Sequence, residues 1–411
     1  MNKAEQNYGR MKTIAAGIKQ NSTGPRQSCR DRGIGLPGTL ALFLAIFFFS
    51  CPVFADGPGS TGVQVLKTDI SPRAMGMGGA FAAIADDLYS INYNPAGLGQ
   101  LYMPEVSAMY LSGFEDSGLN NFAVAMPLPL TGFADLAKPA VGLSFMMADA
   151  GSFNLRLLNA NGTITESSYD AQKDMVVALG YGEKVYSDEL KIEGYALKLD
   201  QYLGFNVKYI KSTLLEDYTA SAIAFDAGWL GMAPNLGLSA AVSMANVGGG
   251  LKYLNETTRL PSILRIGLSY QRPTIMDQSV LIAAEGDFYT AESQKSLRVG
   301  MEYHFEQFFN MRVGYKALED NGGLTMGLGV RYDDMSLDFA TSAGGEVYNT
   351  SQLSFSYKFS GIVVKEHRKK TVYKDPRPQD KTPQKPARPK PASKPAAPRD
   401  NKDKSDFIWL Y

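Results

Sequence analysis

The chain has 411 residues, 45% hydrophobic and 20% charged, with 41 Lys/Arg balanced by 41 Asp/Glu. The neutral total hides a segregation: residues 1–55 carry 7 basic and 2 acidic side chains, 56–360 carry 20 and 33, and 361–411 carry 14 and 6. An acidic body between basic ends makes whole-chain charge a poor guide to partners, and the two cysteines, Cys29 and Cys51, leave the chain beyond them without a disulfide or a thiol nucleophile.

Residues 39–50 read TLALFLAIFFFS. A run of about 12 apolar residues is short for a membrane-spanning helix, which needs ~20. It follows Arg26, Arg30 and Arg32 and ends at Val53-Phe54-Ala55, the small-residue pattern of a signal-peptide cleavage site. Residues 1–55 therefore read as a leader and signal peptide cut after Ala55. A short N-terminal anchor and a lipoprotein modified at Cys51 are the alternatives, and a start at Met11 would shorten the leader. No later stretch holds ~18 consecutive apolar residues, so a membrane location requires a closed barrel of strands.

Residues 56–103 do not alternate. Thr68-Asp69-Ile70-Ser71-Pro72-Arg73-Ala74 leads into a short Ala/Gly-rich helix, and Gly76, Gly78 and Gly79 let backbones approach closely. Asp86-Asp87 and the turn-forming Asn92-Tyr93-Asn94-Pro95-Ala96-Gly97 follow. The glycine cluster lacks the strand–loop–helix context and lysine of a phosphate loop. The segment is expected to be a plug, or hatch, inside a barrel lumen; the blander alternative is a periplasmic extension.

Through 104–360 hydrophobicity alternates with period two. Leu297, Val299, Met301, Tyr303 and Phe305 share one face, and Arg298, Gly300, Glu302 and His304 the other; Leu324 to Tyr332 alternate the same way with Thr325, Gly327, Gly329 and Arg331. Each segment thus has one apolar and one polar face. Many are 9–11 residues long, enough for a tilted membrane strand. Tyr209, Tyr270, Tyr303, Tyr315, Tyr332, Tyr357 and Phe359 fall at segment ends, as in an interfacial girdle. The expected fold is all-β: a transmembrane antiparallel barrel of about fourteen strands, starting near 104, 119, 140, 174, 201, 220, 236, 262, 279, 296, 311, 324, 335 and 350. An even count places both ends on the periplasmic side, with linkers 114–118, 149–173, 212–219, 246–261, 289–295, 318–323 and 343–349 outside. Linkers 231–235, 307–310 and 333–334 then lie inside. The long inner linker 184–200 breaks the pattern unless part of it extends neighbouring strands.

Residues 361–411 change character, with eight prolines across 376–398 and dense Lys/Arg. Such composition buries no core and reads as a disordered, polyproline-II-like tail. About 40 residues at ~3.1 Å each reach roughly 120 Å. The tail is expected in the periplasm, either as a solubilising segment or bound to an acidic protein or peptidoglycan. Its apolar end, Asp406-Phe-Ile-Trp-Leu-Tyr411, suits docking to a partner or a displaced insertion signal.

Chemistry is sparse. The only histidines are His304 and His367. Arg298, Glu302, His304 and Arg331 are expected to line the lumen, with His304 too far from Ser296 to form a hydrolytic pair. No Cys/His cluster supports zinc. The acidic pairs Glu115-Asp116, Glu216-Asp217 and Glu319-Asp320 fall in outer loops, as solvated charge or as weak calcium ligands. No enzyme activity, cofactor, metal or nucleic-acid partner is expected.

The run Ile70–Leu98, ISPRAMGMGGAFAAIADDLYSINYNPAGL, resembles the N-terminal signature of the PorV/PorQ family of outer-membrane barrels. It is similar, more distantly, to the FadL long-chain fatty-acid transporters, which share an Asn-Pro-Ala-Gly element. The resemblance implies a fourteen-stranded barrel with a hatch carried by Arg73, Gly76, Gly79, Asp86, Asp87, Asn92, Asn94, Pro95 and Gly97. It implies either transport of hydrophobic small molecules across the outer membrane or a docking role for secreted proteins in a type IX-like secretion system; a structural barrel tethered to the cell wall is a third possibility. No local motif carries over a ligand pocket.

Overall fold

A computed structural model describes residues 57–361, apart from 58, 114–115, 160, 193–194, 274–277, 307, 320–321 and 344–348. The expected leader and signal peptide, both cysteines, Glu115, Asp320 and the residues of the expected tail, with His367 and the apolar end, lie outside the described residues.

The first strands are β1 (Glu105–Ser112), β2 (Gly118–Pro127), β3 (Ala140–Asp149), β4 (Ser152–Leu158), β5 (Ile164–Asp170) and β6 (Gln172–Ile192). Next come β7 (Tyr195–Leu214), β8 (Tyr218–Ala233), β9 (Leu238–Gly248), β10 (Leu251–Tyr253), β11 (Glu256–Thr258) and β12 (Ile263–Pro273). The last are β13 (Ser279–Tyr289), β14 (Lys295–Phe305), β15 (Phe309–Ala317), β16 (Gly323–Tyr332), β17 (Met335–Ala343) and β18 (Ser351–Lys358). Fourteen of them form a closed antiparallel barrel in which each strand pairs with the next barrel strand along the chain. Pairing of β1 with β18, from Glu105↔Lys358 to Ser112↔Ser351, closes it. The remaining four form two hairpins, β4–β5 and β10–β11, on linkers at the end away from the strand termini.

Alternation decides which face is which. In β14, Ser296, Arg298, Gly300 and Glu302 are buried while Leu297, Val299 and Met301 are exposed. The same inversion runs round the barrel: Leu268, Ile282, Val313, Leu328, Leu337 and Phe355 all stand outward and exposed. A soluble protein cannot leave such a belt in water; a bilayer covers it, and closure leaves no unpaired edge within it. Tyr270, Tyr303, Tyr332, Tyr357 and Phe359 gather toward the end where β1 starts and β18 finishes, as a girdle does. Among the described residues no helix is long and apolar enough to cross a membrane.

The long linker after β6 resolves the exception in the loop pattern. β6 has 21 residues and β7 has 20, so 184–200 continues both strands as a two-stranded ribbon past the barrel end. A bulge between Lys184 and Tyr186 marks where the ribbon leaves the wall.

Residues 57–103 fill the lumen. They contain a 3-10 turn (Gln64–Lys67), the helix α1 (Pro72–Gly76), the helix α2 (Ser90–Tyr93) and a 3-10 turn (Pro95–Gln100). α1 starts on Ser71, whose hydroxyl accepts from Ala74 N, with Pro72 at the first helical position. α1 packs on β15–β18, and the second 3-10 turn on β3 and β6–β8. Side chains from Ala74 to Ala85 are almost wholly buried.

Placing a charge on the outward face tests the membrane assignment. Val299→Arg is expected to destabilise the barrel by about 2–4 kcal/mol, as a cation near the bilayer midplane does. Reversible unfolding from phospholipid vesicles measures this, and a value near zero would remove β14 from the lipid boundary.

Candidate functional site

The site is the contact between hatch and wall. It begins with backbone proximity. Gly78 and Gly79 have φ of +67° and +82°, a turn that costs a side-chain residue strain. A Cβ on Gly78 would stand 2.8 Å from Val299 O and 2.9 Å from Tyr315 N. The wall answers with its own glycines on the lumen face. Gly314 lies under Gly78 N, Gly327 faces Gly76, and Gly204 lies against the Pro95 carbonyl. The glycines that make the strands' polar faces look bland are the bed on which the hatch backbone rests.

Charge then fixes orientation. Arg73 Nη2 lies 2.9 Å from Glu302 Oε2, and its Nη1 reaches Asp86 and, at 3.3 Å, Asp87. Glu302 is fully buried and also takes Arg312 Nε at 2.7 Å. Arg312 continues to Asp338. A second group centres on Asp69, which pairs with Lys316 and, at 3.3 Å, with Arg298. Arg298 is 2% exposed and spans Asp287 at 3.2 Å and Glu319 at 2.8 Å. Glu285 Oε2 accepts from Phe81 N at 3.0 Å and from Ala82 N at 2.7 Å, holding the chain just after the glycine turn. Apart from Asp86, which is exposed, these groups are largely desolvated, and each has an opposite charge or a backbone N–H facing it, which is the condition for burying charge at all.

The Asn92–Gly97 turn is held by side-chain amides. Asn94 donates to Ala82 O at 3.0 Å and to Trp229 O at 3.2 Å, and its Oδ1 accepts from Ala96 N. Pro95 opens the following 3-10 turn, and Gly97 sits against the Ala85 carbonyl. Asn92 Nδ2 is buried with no hydrogen-bond partner among the described residues. Tyr93 ties the two ends of the hatch together. Its hydroxyl accepts from Ile70 N at 3.0 Å, while its carbonyl accepts from Ser243 Oγ at 2.9 Å.

All nine hatch residues singled out in the sequence thus lie in the lumen segment. Of the wall residues, Arg298 and Glu302 belong to the two charge groups. His304 lies beside them: its Nε2 is 3.3 Å from Glu302 and its Nδ1 2.6 Å from Asn310. Both ring nitrogens are engaged, so neither is free to serve a hydroxyl nucleophile. Arg331 has the same alternation phase but is exposed at the end of β16, beyond the charged groups. Glu319 departs from the expectation of solvated loop charge, because its carboxylate turns inward onto Arg298 and Ser296. Asp116 and Glu216 stay exposed, and no group of three metal-ligating side chains occurs among the described residues. Asp69, Glu285, Asp287, Arg312 and Lys316 escaped sequence reading. For the four wall residues the only signal is a charge on the inward phase of the strand; Asp69 lies in the lumen segment, off any strand.

The lumen has two unlike halves. The two charge groups that hold Arg73 and Asp69 sit on β12–β17 and the loop after β15. On β1–β8 the inward side chains are mainly apolar: Met109, Leu111, Leu119, Met146, Val176 and Ile210 pack against Val63, Leu66, Leu88, Ile91 and Leu98 of the hatch. This half is interrupted by the paired Lys208 and Asp226, 2.8 Å apart, by Glu105 paired with Lys358 of β18, and by the buried Asp174, Glu183 and Asp200. Above the hatch, at the loop end, opens a vestibule of about 540 Å³. Leu111, Leu119 and Ala148 line one side of it, and Lys67, Asp69, Lys316 and Glu319 the other.

Two predictions follow from the charges. Arg73→Ala leaves buried Glu302 with Arg312 alone, while Asp86 is exposed enough to be rehydrated, at a cost of about 1–3 kcal/mol. Hydrogen exchange of the 70–98 amides should accelerate while barrel amides keep their protection; unchanged exchange would show that the ion pairs do not hold the hatch. Acidity acts in two directions. Burial, with Asp86 and Glu105 near, pushes Asp87 up to about 6 against the pull of Arg73. A raised carboxyl pKa favours the docked state at low pH, so docking should tighten as pH falls from about 6 toward 4. Asp69 is the reverse case: burial opposes its ionisation, but Lys316 and Arg298 hold it down to about 2. Its contribution is complete above the usual carboxylate range and is lost as pH falls toward 2. Hatch protection should therefore peak between these limits, and Asp87→Asn should weaken the rise between pH 6 and 4.

No protein-family model matches the chain, and no curated protein matches it. Solved structures are similar at low identity. The Ralstonia pickettii toluene transporter TbuX is 14% identical, over 71% of this chain and 98% of that chain, with a TM-score of 0.48. The P. putida toluene transporter TodX is 12% identical, over 74% and 99%, with a TM-score of 0.41. A Pseudomonas aeruginosa FadL homologue is 11% identical, over 70% and 98%, with a TM-score of 0.39. At these identities the likeness is one of fold alone.

Proposed function

We propose that the protein is an outer-membrane channel for hydrophobic small molecules, with the hatch as its gate. The observation that carries this is the division of the lumen. An apolar molecule entering between the hatch and β1–β8 replaces apolar contacts with apolar contacts, at little cost. Entry on the other side requires breaking buried ion pairs, each costing several kcal/mol. The vestibule leads to the cheap side, since Leu111, Leu119 and Ala148 bound it there. Its cations near the hatch, Lys67 and Lys316, are already paired with Glu292 and Asp69, which favours a neutral cargo over an anion. Toluene, the cargo named for TbuX and TodX, has that chemistry.

The Ile70–Leu98 run supports placing the chain with the PorV/PorQ type of such barrels. Even strand parity supports a periplasmic position for the strand termini and for the tail that follows Gly361.

Uptake of radiolabelled toluene by cells carrying the inserted barrel tests the reading. Met146→Lys, which sets a charge into the apolar half, is expected to lower uptake at least tenfold. Asp116→Asn, on an exposed loop, should leave it unchanged. Equal uptake by both variants and the parent would refute passage along β1–β8.

A further inference from the structure

The hairpin β4–β5 has no place in the channel. Its residues from Ser152 to Thr165 are exposed wherever they are described, and it touches the barrel only at its base. Yet it is amphipathic. On one face Phe153 lies opposite Tyr169, with ring centroids 6.2 Å apart, followed by Leu155 opposite Ser167 and Leu157 opposite Thr165. On the other, Asn154 faces Ser168 and Arg156 pairs with Glu166 at 3.2 Å, and only the tip pair Leu158 and Ile164 is apolar. An isolated two-stranded hairpin is marginal in water, and an apolar face adds exposed hydrocarbon to that cost.

The register says what the face continues. β3 and β6 pair to Asp149↔Lys173. Ala150 N donates to Gln172 O and Ala171 N to Gly151 O, and Ser152↔Asp170 resumes the ladder without a slip. The outward phase of β3, with Phe145 and Met147 facing the bilayer, is therefore the phase of Phe153, Leu155 and Leu157. Between the two apolar stretches stands a polar collar, where Lys173 pairs with Asp149 and Asp170. Gly151, with φ of +85°, sits at the junction. The order is lipid-facing strand, charged collar at headgroup height, a glycine with positive φ, then a second apolar face about 13 Å long from Phe153 to Leu157.

We propose that β4–β5 bends outward at Gly151 and lays its apolar face on the bilayer leaflet at the loop end, at the boundary of headgroups and acyl chains. Asn154, Arg156, Glu166 and Ser168 then face water. The hairpin widens the barrel's footprint on one side and braces the vestibule rim, to which Asp149, Ala150 and Gln172 belong. This rests on the barrel spanning a bilayer but not on what it transports.

The test uses the full chain in a Cys29→Ser, Cys51→Ser background, with one cysteine returned at Leu155, Leu157, Asn154 or Leu268. Each carries an environment-sensitive dye. The proteins are reconstituted at low density in phosphatidylethanolamine–phosphatidylglycerol vesicles containing nitroxide-labelled lipid. Quenching at 155 and 157 is expected to exceed that at 154 at least twofold and to approach that at 268. Equal quenching at 154 and 155, with 268 quenched, overturns the proposal while leaving the barrel in the membrane. Quenching absent at 268 overturns the membrane reading itself. Dye self-quenching at 155 that grows with protein density would assign the face to a second copy and also overturns the proposal.

Discussion

Fourteen strands enclose more space than their own inward side chains can fill. Eight-stranded barrels are just wide enough to be packed from the wall, whereas the widest ones hold water. This barrel is in between, and the rest of the structure is a response to that excess. Residues 57–103 are too few to build a core alone. The wall serves as their core, and they serve as the wall's. Neither part is complete without the other. That reciprocity accounts for short helices of five and four residues that would not persist in water.

Two physical means join the parts, and they are segregated. On β12–β17 the contacts are directional. Arg73, Arg298 and Arg312 each reach two or more carboxylates, and Glu285 caps two successive backbone N–H groups. On β1–β8 contacts of methyl groups and rings dominate, joined by a few hydrogen bonds: Asn206 to Ile91 O, Asn94 to Trp229 O and Tyr89 with Ser107. The directional half sets where the hatch sits and in which rotation. The other half supplies burial and tolerates exchange of one apolar neighbour for another. The wall glycines matter to both, because backbone-to-backbone approach at Gly204 and Gly314 is what brings the hatch side chains within reach.

The barrel was largely legible in the sequence, since its signal is local: Leu297 to Phe305 show their two faces within one strand. All barrel strands begin within two residues of where alternation begins, except β7, which begins earlier because its ribbon extension lacks a clear phase. The hairpins β4–β5 and β10–β11 were hidden in linkers; three-residue strands are too short for period two to show, and Ile164–Asp170 has little apolar content. The hatch segment stood out by its failure to alternate. Its partners did not, because Asp69 meets Arg298, and Arg73 meets Glu302, across 229 positions of sequence. A charge on an inward phase says that something opposes it, not what. Glu319 shows the limit: a Glu-Asp pair beside a turn looks like solvated loop charge, and only the fold reveals an arginine beneath it.

The same segregation bears on how such a plug is both stable and passable. A hatch held by ion pairs on all sides would need several of them broken at once, and a hatch held by apolar contacts alone would have no fixed register. With one half of each kind, displacement along β1–β8 leaves Arg73, Asp69 and Glu285 engaged as an anchored edge. If the barrel opens as proposed, Val63, Leu66, Ile91 and Leu98 move away from the apolar wall, and a hydrophobic cargo would compensate by taking their place. On the proposed reading, the gate and the affinity for the cargo are one set of contacts, and a polar solute, unable to replace them, would gain no passage.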